Sequence, residues 1–498
     1  MNFKTINYFF LIVFMVSFSC KTKKYSKIKV GENQQEIVGQ PNIIVLLCDD
    51  LGYGDLASFG HPIIETKNLD KLAATGIRFT NFYSAAPVCS PSRVGLLTGR
   101  SPNRAGVYDF IPGLKKSEDN RDLVHLQAYE ETIPALLKSV GYATCLVGKW
   151  HCSSRFNSDK QPQPNDFGFD HWMATHNNVS PSHQNPTNFV RNGQEVGEII
   201  GFSSQIIIDE AINWLDKKEN TKPFFLEVNF HEPHEPIASP EELVAKYLPK
   251  AENREQAEYF ANVENVDLAV GRLMEYLQKN HNKNTLVIFT SDNGPETFMR
   301  YNRAKKSYGS PGDLKGMKLW TNEAGFRVPG IIKWIGKDSY RGTSDNVISS
   351  LDFLPTFCEL AGAELPKIDL DGESFVSIFE SGNFERTKPL LWSFYDALND
   401  QVVAMRDGDW KILCRLKNNG EYLPKIHNLY DGNEALVKDA ELTDFVLYNL
   451  KNDLGETQEV SEKYPEEFKK MKILLNSEYA KLLADSHIWK RTQKFSKK

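Results

Sequence analysis

The chain has 498 residues, 41% of them hydrophobic, and a formal net charge of −6 at pH 7. That length can bury one large core and a smaller one, in two or three domains. The weak acidity and the absence of any long basic run inside the chain exclude a nucleic-acid binder, but not a local cationic pocket for an anion.

In chain order, residues 1–19 read as an export signal. Lys4 precedes an apolar run from Tyr8 to Val16 that is too short to span a bilayer as a helix, and small residues follow. Cys20, after Ser17-Phe18-Ser19, resembles the lipid-bearing cysteine of a bacterial lipoprotein. The expectation is an exported protein of a bacterial periplasm or outer membrane that touches the membrane only through a lipid on Cys20, with residues 20–40 as a tether. The remaining cysteines show no dense disulfide framework, and pairing of Cys145 with Cys152 is left open.

Asn42–Leu47 is a continuous Ile- and Val-rich run, as expected of a central parallel strand buried on both faces. Similar runs recur at 143–151, 222–234 and 284–294, separated by helical patterns at 130–140, 203–219 and 258–280. This alternation predicts an α/β fold with a large, mainly parallel sheet flanked by helices over residues 41–390. Residues 391–498 change character. An alternating strand at 401–416, a hairpin-like connection, a second strand near 444–460 and a helix at 465–487 predict a smaller α+β subdomain with an antiparallel sheet.

Chemistry in parallel sheets collects at the carboxyl ends of the strands. The four runs end in Asp49-Asp50, Lys149-Trp150-His151, His231-Glu232-Pro233-His234 and Asp292-Asn293. Carboxylates with an amide oxygen, and no Cys/His cluster, favour a hard divalent cation over zinc. The segment PVCSPSRVGLLTGR (87–100) adds an N-cap at Ser90, Pro91 at the first helical position and Gly99 as a stop. It leaves Cys89 just outside the positive end of a helix, with Arg93 one turn in. A metal beside cations and a helix N-terminus suits a sulfate or phosphate ester.

Cys89-Ser90-Pro91-Ser92-Arg93 followed by Leu97-Thr98-Gly99-Arg100 resembles the signature of the type I, formylglycine-dependent sulfatases. Further blocks agree in order: Asp49-Asp50 with Gly52-Tyr53-Gly54-Asp55, Gly148-Lys149-Trp150-His151, Pro233-His234, and Ser291-Asp292-Asn293-Gly294. Gly316-Met317-Lys318, Gly325-Phe326-Arg327-Val328-Pro329, and Leu447-Tyr448-Asn449-Leu450 with Asp453 to Glu456 follow. The resemblance implies the alkaline-phosphatase-like fold. It further implies oxidation of Cys89 to formylglycine by a maturing enzyme, and one Ca²⁺ held by Asp49, Asp50, Asp292, Asn293 and the modified Cys89. The hydrated aldehyde carries two hydroxyls: one attacks sulfur as the alcohol leaves, and deprotonation of the second lets the carbon expel sulfate. Arg93 would hold the formylglycine, and Lys149 and Lys318 would neutralise sulfate oxygens. His151 would be the base for the second hydroxyl and His234 the acid for the leaving oxygen.

The segment 171–198 supplies His176, Asn177, Asn178, His183 and Arg191, a polar set suited to sugar hydroxyls, with His231 as a further candidate. The expected partner is a sulfated polysaccharide or oligosaccharide. The alternatives are a phosphodiester or phosphonate monoester hydrolase of the same superfamily, and a catalytically silent glycan-binding lipoprotein.

Overall fold

The structure, a computed structural model, describes residues 39–113, 121, 123–219, 221–280, 284–297 and 306–490. The expected signal, Cys20 and most of the tether lie outside the described residues. From Gly39 onward the chain belongs to one compact unit. Among the described residues, no helix is long and apolar enough to cross a membrane.

The main sheet is built from β1 (Asn42–Asp49), β2 (Ile77–Tyr83), β3 (Ala143–Lys149), β4 (His171–Thr175), β5 (Val190–Arg191), β6 (Gln194–Glu195), β7 (Phe224–Pro233), β8 (Thr285–Ser291), β9 (Gly330–Ile335) and β10 (Gly342–Ser349). Their order across the sheet is β10-β2-β9-β8-β1-β7-β3-β4-β5-β6. The central run β8-β1-β7-β3-β4 is parallel throughout, whereas β9 lies antiparallel to both β2 and β8. In β1 the two-residue period of a strand divides the apolar run. Ile43, Val45 and Leu47 join one core, while Ile44, Leu46 and Cys48 join the core on the opposite face. A strand buried on both faces therefore reads as continuous rather than alternating, as the sequence suggested.

The helices Ser203–Lys217 and Arg254–Lys279 cover one face, and Ile133–Ser139 and Phe353–Ala361 cover the other. The smaller sheet comprises β11 (Leu390–Ser393), β12 (Val403–Asp407), β13 (Trp410–Asn418), β14 (Glu421–Tyr422) and β15 (Glu441–Asn449), all antiparallel. Its outer face packs on the helix Pro465–Asp485 through Met471, Leu475 and Tyr479. Its inner face meets the main sheet where Trp392, Leu413 and Tyr448 pack on Tyr83 and Phe326. Cys145 and Cys152 are separate, buried thiols.

Candidate active site

The four expected strand ends are neighbours. In the order β8, β1, β7, β3 they place Asp292-Asn293, Asp49-Asp50, Pro233-His234 and Lys149-Trp150-His151 along one edge of the sheet. Cys48 pairs with Ser291 and Asp49 with Pro233, so the acids arrive at the same level. Three residues in strained backbone lie here. Asp50, His151 and Leu319 have φ of 67°, 53° and 66°, a region that costs non-glycine residues roughly 1–2 kcal/mol each. At Gly148 a Cβ would lie 1.8 Å from the Asn229 carbonyl oxygen, so only glycine lets Lys149 leave the sheet at that point.

The helix Cys89–Thr98 is wholly buried and starts two residues earlier than expected. Val88, in extended conformation, takes the N-cap place, and no side chain caps the helix. Ser90 is not the cap because its hydroxyl accepts a hydrogen bond from the Ile111 N–H at 2.9 Å. Cys89 is therefore inside the first turn, at the positive end of the helix, and Gly99 ends the helix with φ 66° as expected. The Cys89 thiol donates to Asp49 Oδ1 at 3.3 Å. Burial, and then the Asp49 charge, hold that thiol well above its ordinary pKa, so as a cysteine it is not an activated thiolate.

Three carboxylates and three cations interlock around Cys89. Lys149 Nζ lies 2.6 Å from Asp49 Oδ2, Lys318 Nζ 2.7 Å from Asp50 Oδ2, and Arg93 Nη2 2.7 Å from Asp292 Oδ2. Arg93 also donates to the Lys149 carbonyl at 3.2 Å, which leaves its guanidinium fork committed to protein groups. Burial works against ionising Asp49, but Lys149, His234 and Arg93 outweigh it and hold that carboxyl well below its ordinary range. Burial and the nearby Asp49 push Asp292 up to about 7 in spite of Arg93.

The donor set fits a hard divalent cation. Oxygen atoms of Asp49 and Asp50 lie within 4.8 Å of one another and of Cys89 Sγ and a His234 ring nitrogen. Asp292 Oδ1 accepts from the Asp50 N–H at 3.3 Å, and Asn293 Nδ2 donates to Asp50 Oδ1 at 2.7 Å. Asn293 Oδ1 is buried without a hydrogen-bond partner, an acceptor that a cation would satisfy.

The two catalytic-type histidines differ in tautomer. His151 Nε2 lies 2.8 Å from the Ile111 carbonyl oxygen, which can only accept, so the proton resides on Nε2. Its Nδ1 is buried and unpartnered, and burial with Lys149 keeps the ring neutral. His151 is thus poised as a base. His234 Nδ1 donates to the Glu235 carbonyl oxygen at 2.7 Å, and its Nε2 faces Asp50 Oδ2 at 3.6 Å. Burial and Lys318 push this ring's pKa down, while Asp50 and Asp49 pull it up.

A cavity of about 300 Å³ opens on this cluster. Of the expected residues, Asp50, Cys89, His151, Asn177, Asn178, His234 and Lys318 line it. Asp49, Arg93, Lys149, Asp292 and Asn293 stand behind them. The expected sugar-contacting set divides. Asn178 reaches the cavity, donates to the Glu235 carbonyl at 2.8 Å and accepts from Lys149 at 3.4 Å. Four others do not line the cavity. Arg191 is bound to Glu210 by two contacts of 2.8 and 2.7 Å. His231 bonds Thr175 Oγ1 and Ser203 Oγ in the core, and His183 is buried against Asn262. His176 packs its ring on His151, centroids 5.7 Å apart. Each is held by a partner distant in sequence. The cavity also brings in Val88, Phe110, Glu235, Glu296, Ser307 and Leu319, which sequence reading passed over. Only Glu235, adjoining His234, carried any local signal.

Comparison with known proteins agrees with this geometry. The family model "Sulfatase" matches residues 41–363, and "N-sulphoglucosamine sulphohydrolase, C-terminal" matches 317–446. Human N-acetylgalactosamine-6-sulfatase is 34% identical over 343 residues, covering 66% of this chain and 63% of that protein's length. Human arylsulfatase A is 34% identical over 402 residues, 74% of each chain. Among solved structures, Ps i-CgsB in complex with k-i-k-neocarrahexaose superposes with a TM-score of 0.71 at 29% identity, covering 91% of this chain and 95% of the other. Its strand-end acids, its buried Cys89 helix and a family model spanning both establish that this chain belongs to the sulfatase family.

Proposed function

We propose that the protein hydrolyses sulfate esters of a glycan, with residue 89 acting as formylglycine in the mature enzyme. The observation that carries this reading is the charge balance around Cys89. Asp49, Asp50 and Asp292 are matched one for one by Lys149, Lys318 and Arg93. A divalent cation on that set would leave the site net positive at the mouth of an uncapped helix, an environment for an anion. Held by Asp49, Asp50, Asp292, Asn293 and residue 89, Ca²⁺ would supply positive charge that favours an ionised nucleophile and an anionic ester.

The chain's own groups then divide the work. Lys318, the one of these three cations that lines the cavity, takes a sulfate oxygen, while Lys149 holds Asp49 and Asn178 in place from behind. Ser90 fixes Ile111, and Ile111 fixes the His151 tautomer, so the Nδ1 lone pair receives the proton from the second hydroxyl of residue 89. The incoming sulfate charge raises the affinity of His234 for a second proton, taken up on Nε2, and the imidazolium gives that proton to the leaving oxygen. The cavity volume suits one sulfated sugar ring at a time. The sulfated-carbohydrate reading draws support from the names of the relatives above. The signal-like N-terminus supports export in a bacterium with a lipid on Cys20.

Peptide mass spectrometry of residue 89 from protein co-produced with a maturing enzyme, paired with sulfate release from sulfated oligosaccharides, tests the reading. The aldehyde and calcium-dependent sulfate release are expected. Unmodified Cys89 in active protein would overturn the mechanism, and greater turnover of aryl phosphodiesters than of sulfates would favour the phosphoester alternative.

A further inference from the structure

Two sequence blocks that resemble the family signature take no part in the chemistry above: Gly325 to Pro329, and Leu447 to Glu456. The structure brings them together in a second cluster of buried charge. Lys411 of β13, fully buried, lies 2.9 Å from Glu323 Oε1 and 3.0 Å from Glu456 Oε1. The Glu323 N–H donates to Glu456 Oε2 at 2.7 Å, and Glu323 Oε2 accepts from Tyr83 at 2.6 Å and Arg327 at 3.1 Å. Phe326 stacks flat on Trp392 at 4.0 Å, under the Lys411 ammonium.

The other side of the 315–327 segment touches the active site. Gly294 N–H, directly after Asn293, donates to the Gly325 carbonyl at 3.0 Å, and a Cβ on Gly294 would meet the Ala324 carbonyl oxygen at 1.6 Å. Lys318 N–H donates to the Pro295 carbonyl at 2.9 Å. The connection between β11 and β12 grips the same loop, with Leu398 N–H on the Leu319 carbonyl and Asn399 Oδ1 on the Thr321 N–H, both at 2.9 Å. Leu319 keeps its positive φ inside this grip.

We propose that Lys411, from the C-terminal sheet, is a positioning residue for Lys318: by bridging Glu323 and Glu456 it fixes the 315–327 segment and holds the Lys318 ammonium in the cavity beside Asp50. The inference rests on the reading of Lys318 as an anion-binding group. It gives the smaller sheet a part in the reaction that no residue of that sheet performs directly.

The test uses the full chain with three variants. Lys411→Met keeps length and removes charge, and Glu456→Gln keeps shape and weakens the bridge. Leu475→Ala destabilises the C-terminal core away from the seam. Amide hydrogen exchange of 315–327, inhibition by inorganic sulfate, and the split between KM and kcat are measured in each. Lys411→Met is expected to speed exchange in 315–327 and to weaken sulfate inhibition and raise KM by roughly ten- to a hundredfold, with Glu456→Gln in between. Leu475→Ala is expected to lower the melting temperature and leave sulfate inhibition and KM as they are. If Lys411→Met does not fold, Glu456→Gln alone decides. Unchanged exchange and inhibition in the seam variants, or equal changes in Leu475→Ala, would overturn the proposal. If the unaltered chain hydrolyses no sulfate ester while Lys411→Met still loosens 315–327, the clamp stands and the reading of the reaction falls.

Discussion

At the ends of β8, β1, β7 and β3, three carboxylates meet three cations; at the seam with the smaller sheet, Glu323 and Glu456 meet Lys411 and Arg327. Both clusters are buried, and both join residues far apart in sequence. They differ in what surrounds them. The strand-end cluster opens on a cavity, leaves Asn293 Oδ1 and His151 Nδ1 without partners, and includes Asp50 and His151 in left-handed backbone. The seam has stacked aromatic rings in place of a cavity. Glu456 at the seam is also left-handed, with φ 48°. Buried charge and local strain therefore do not mark a reaction site by themselves, and what sets the strand ends apart is that the charge lines a cavity.

That contrast breaks most sharply at Cys89. Cys89→Ala is expected to abolish sulfate release, a loss on the order of 10⁴-fold or more, because it removes the proposed nucleophile. Its thiol makes one weak hydrogen bond, so the melting temperature is expected to stay close to that of the parent. A folded, inactive variant in a sulfate-release assay with a parallel melting curve is the expected pair of results. His151→Gln comes next, at roughly 10²- to 10⁴-fold. On the proposed mechanism His151 serves the second half of the reaction, so alcohol release is expected to show a burst equal to the enzyme present and then stall. His234→Gln should slow the burst itself.

The seam should answer in the opposite way. Lys411→Met strands Glu456 as a buried carboxylate and leaves Glu323 with Arg327 alone, and removing one partner of a buried pair costs about 3–5 kcal/mol. Denaturant unfolding is expected to show that loss, and Glu456→Gln in the same chain should recover part of it by removing the stranded charge. A stability change in Cys89→Ala as large as that in Lys411→Met would erase the distinction between the two clusters.

Legibility in the sequence follows the same divide. The strand ends were readable because each is a local event: an apolar run buried on both faces, then a polar residue of catalytic type. Cys89 was readable because the helix start and stop lie within a few residues of it. The seam was not, since Glu323 and Lys411 are 88 residues apart and each looks like an ordinary solvated charge in its own stretch. The same blindness placed Arg191, His183 and His231 among sugar contacts. Their segments are polar, but Glu210, Asn262 and Ser203, which claim them, lie elsewhere in the chain. The start of the Cys89 helix slipped by two residues because the Ile111 N–H, a partner from outside the helix, takes the Ser90 hydroxyl.

The smallest effect sharpens the comparison at a third point of contact between the two sheets. His427, half exposed in the C-terminal region, lies 2.9 Å from Asp109 and 3.3 Å from Asp396, and Arg121 shares Asp109 at 2.8 Å. Hydrogen bonds to Asp109 and Asp396 raise its pKa from 6.5 to about 9, against the opposing effect of burial. A histidine whose folded pKa is raised stabilises the fold in its charged form. Its contribution is complete below about pH 6.5 and is lost as the pH rises through about 9. Half exposure limits that contribution to under about 1 kcal/mol. Melting temperatures of the parent and of His427→Gln, measured from pH 6 to pH 10, are expected to differ by about a degree at the acid end and to converge at the alkaline end. Asp109 adjoins Phe110 and Ile111, which line the cavity and fix His151, so the two proteins should also diverge in kcat only where they diverge in stability. A difference that grows with pH would show that the histidine sits there neutral, and that Arg121 alone ties the Asp109 loop.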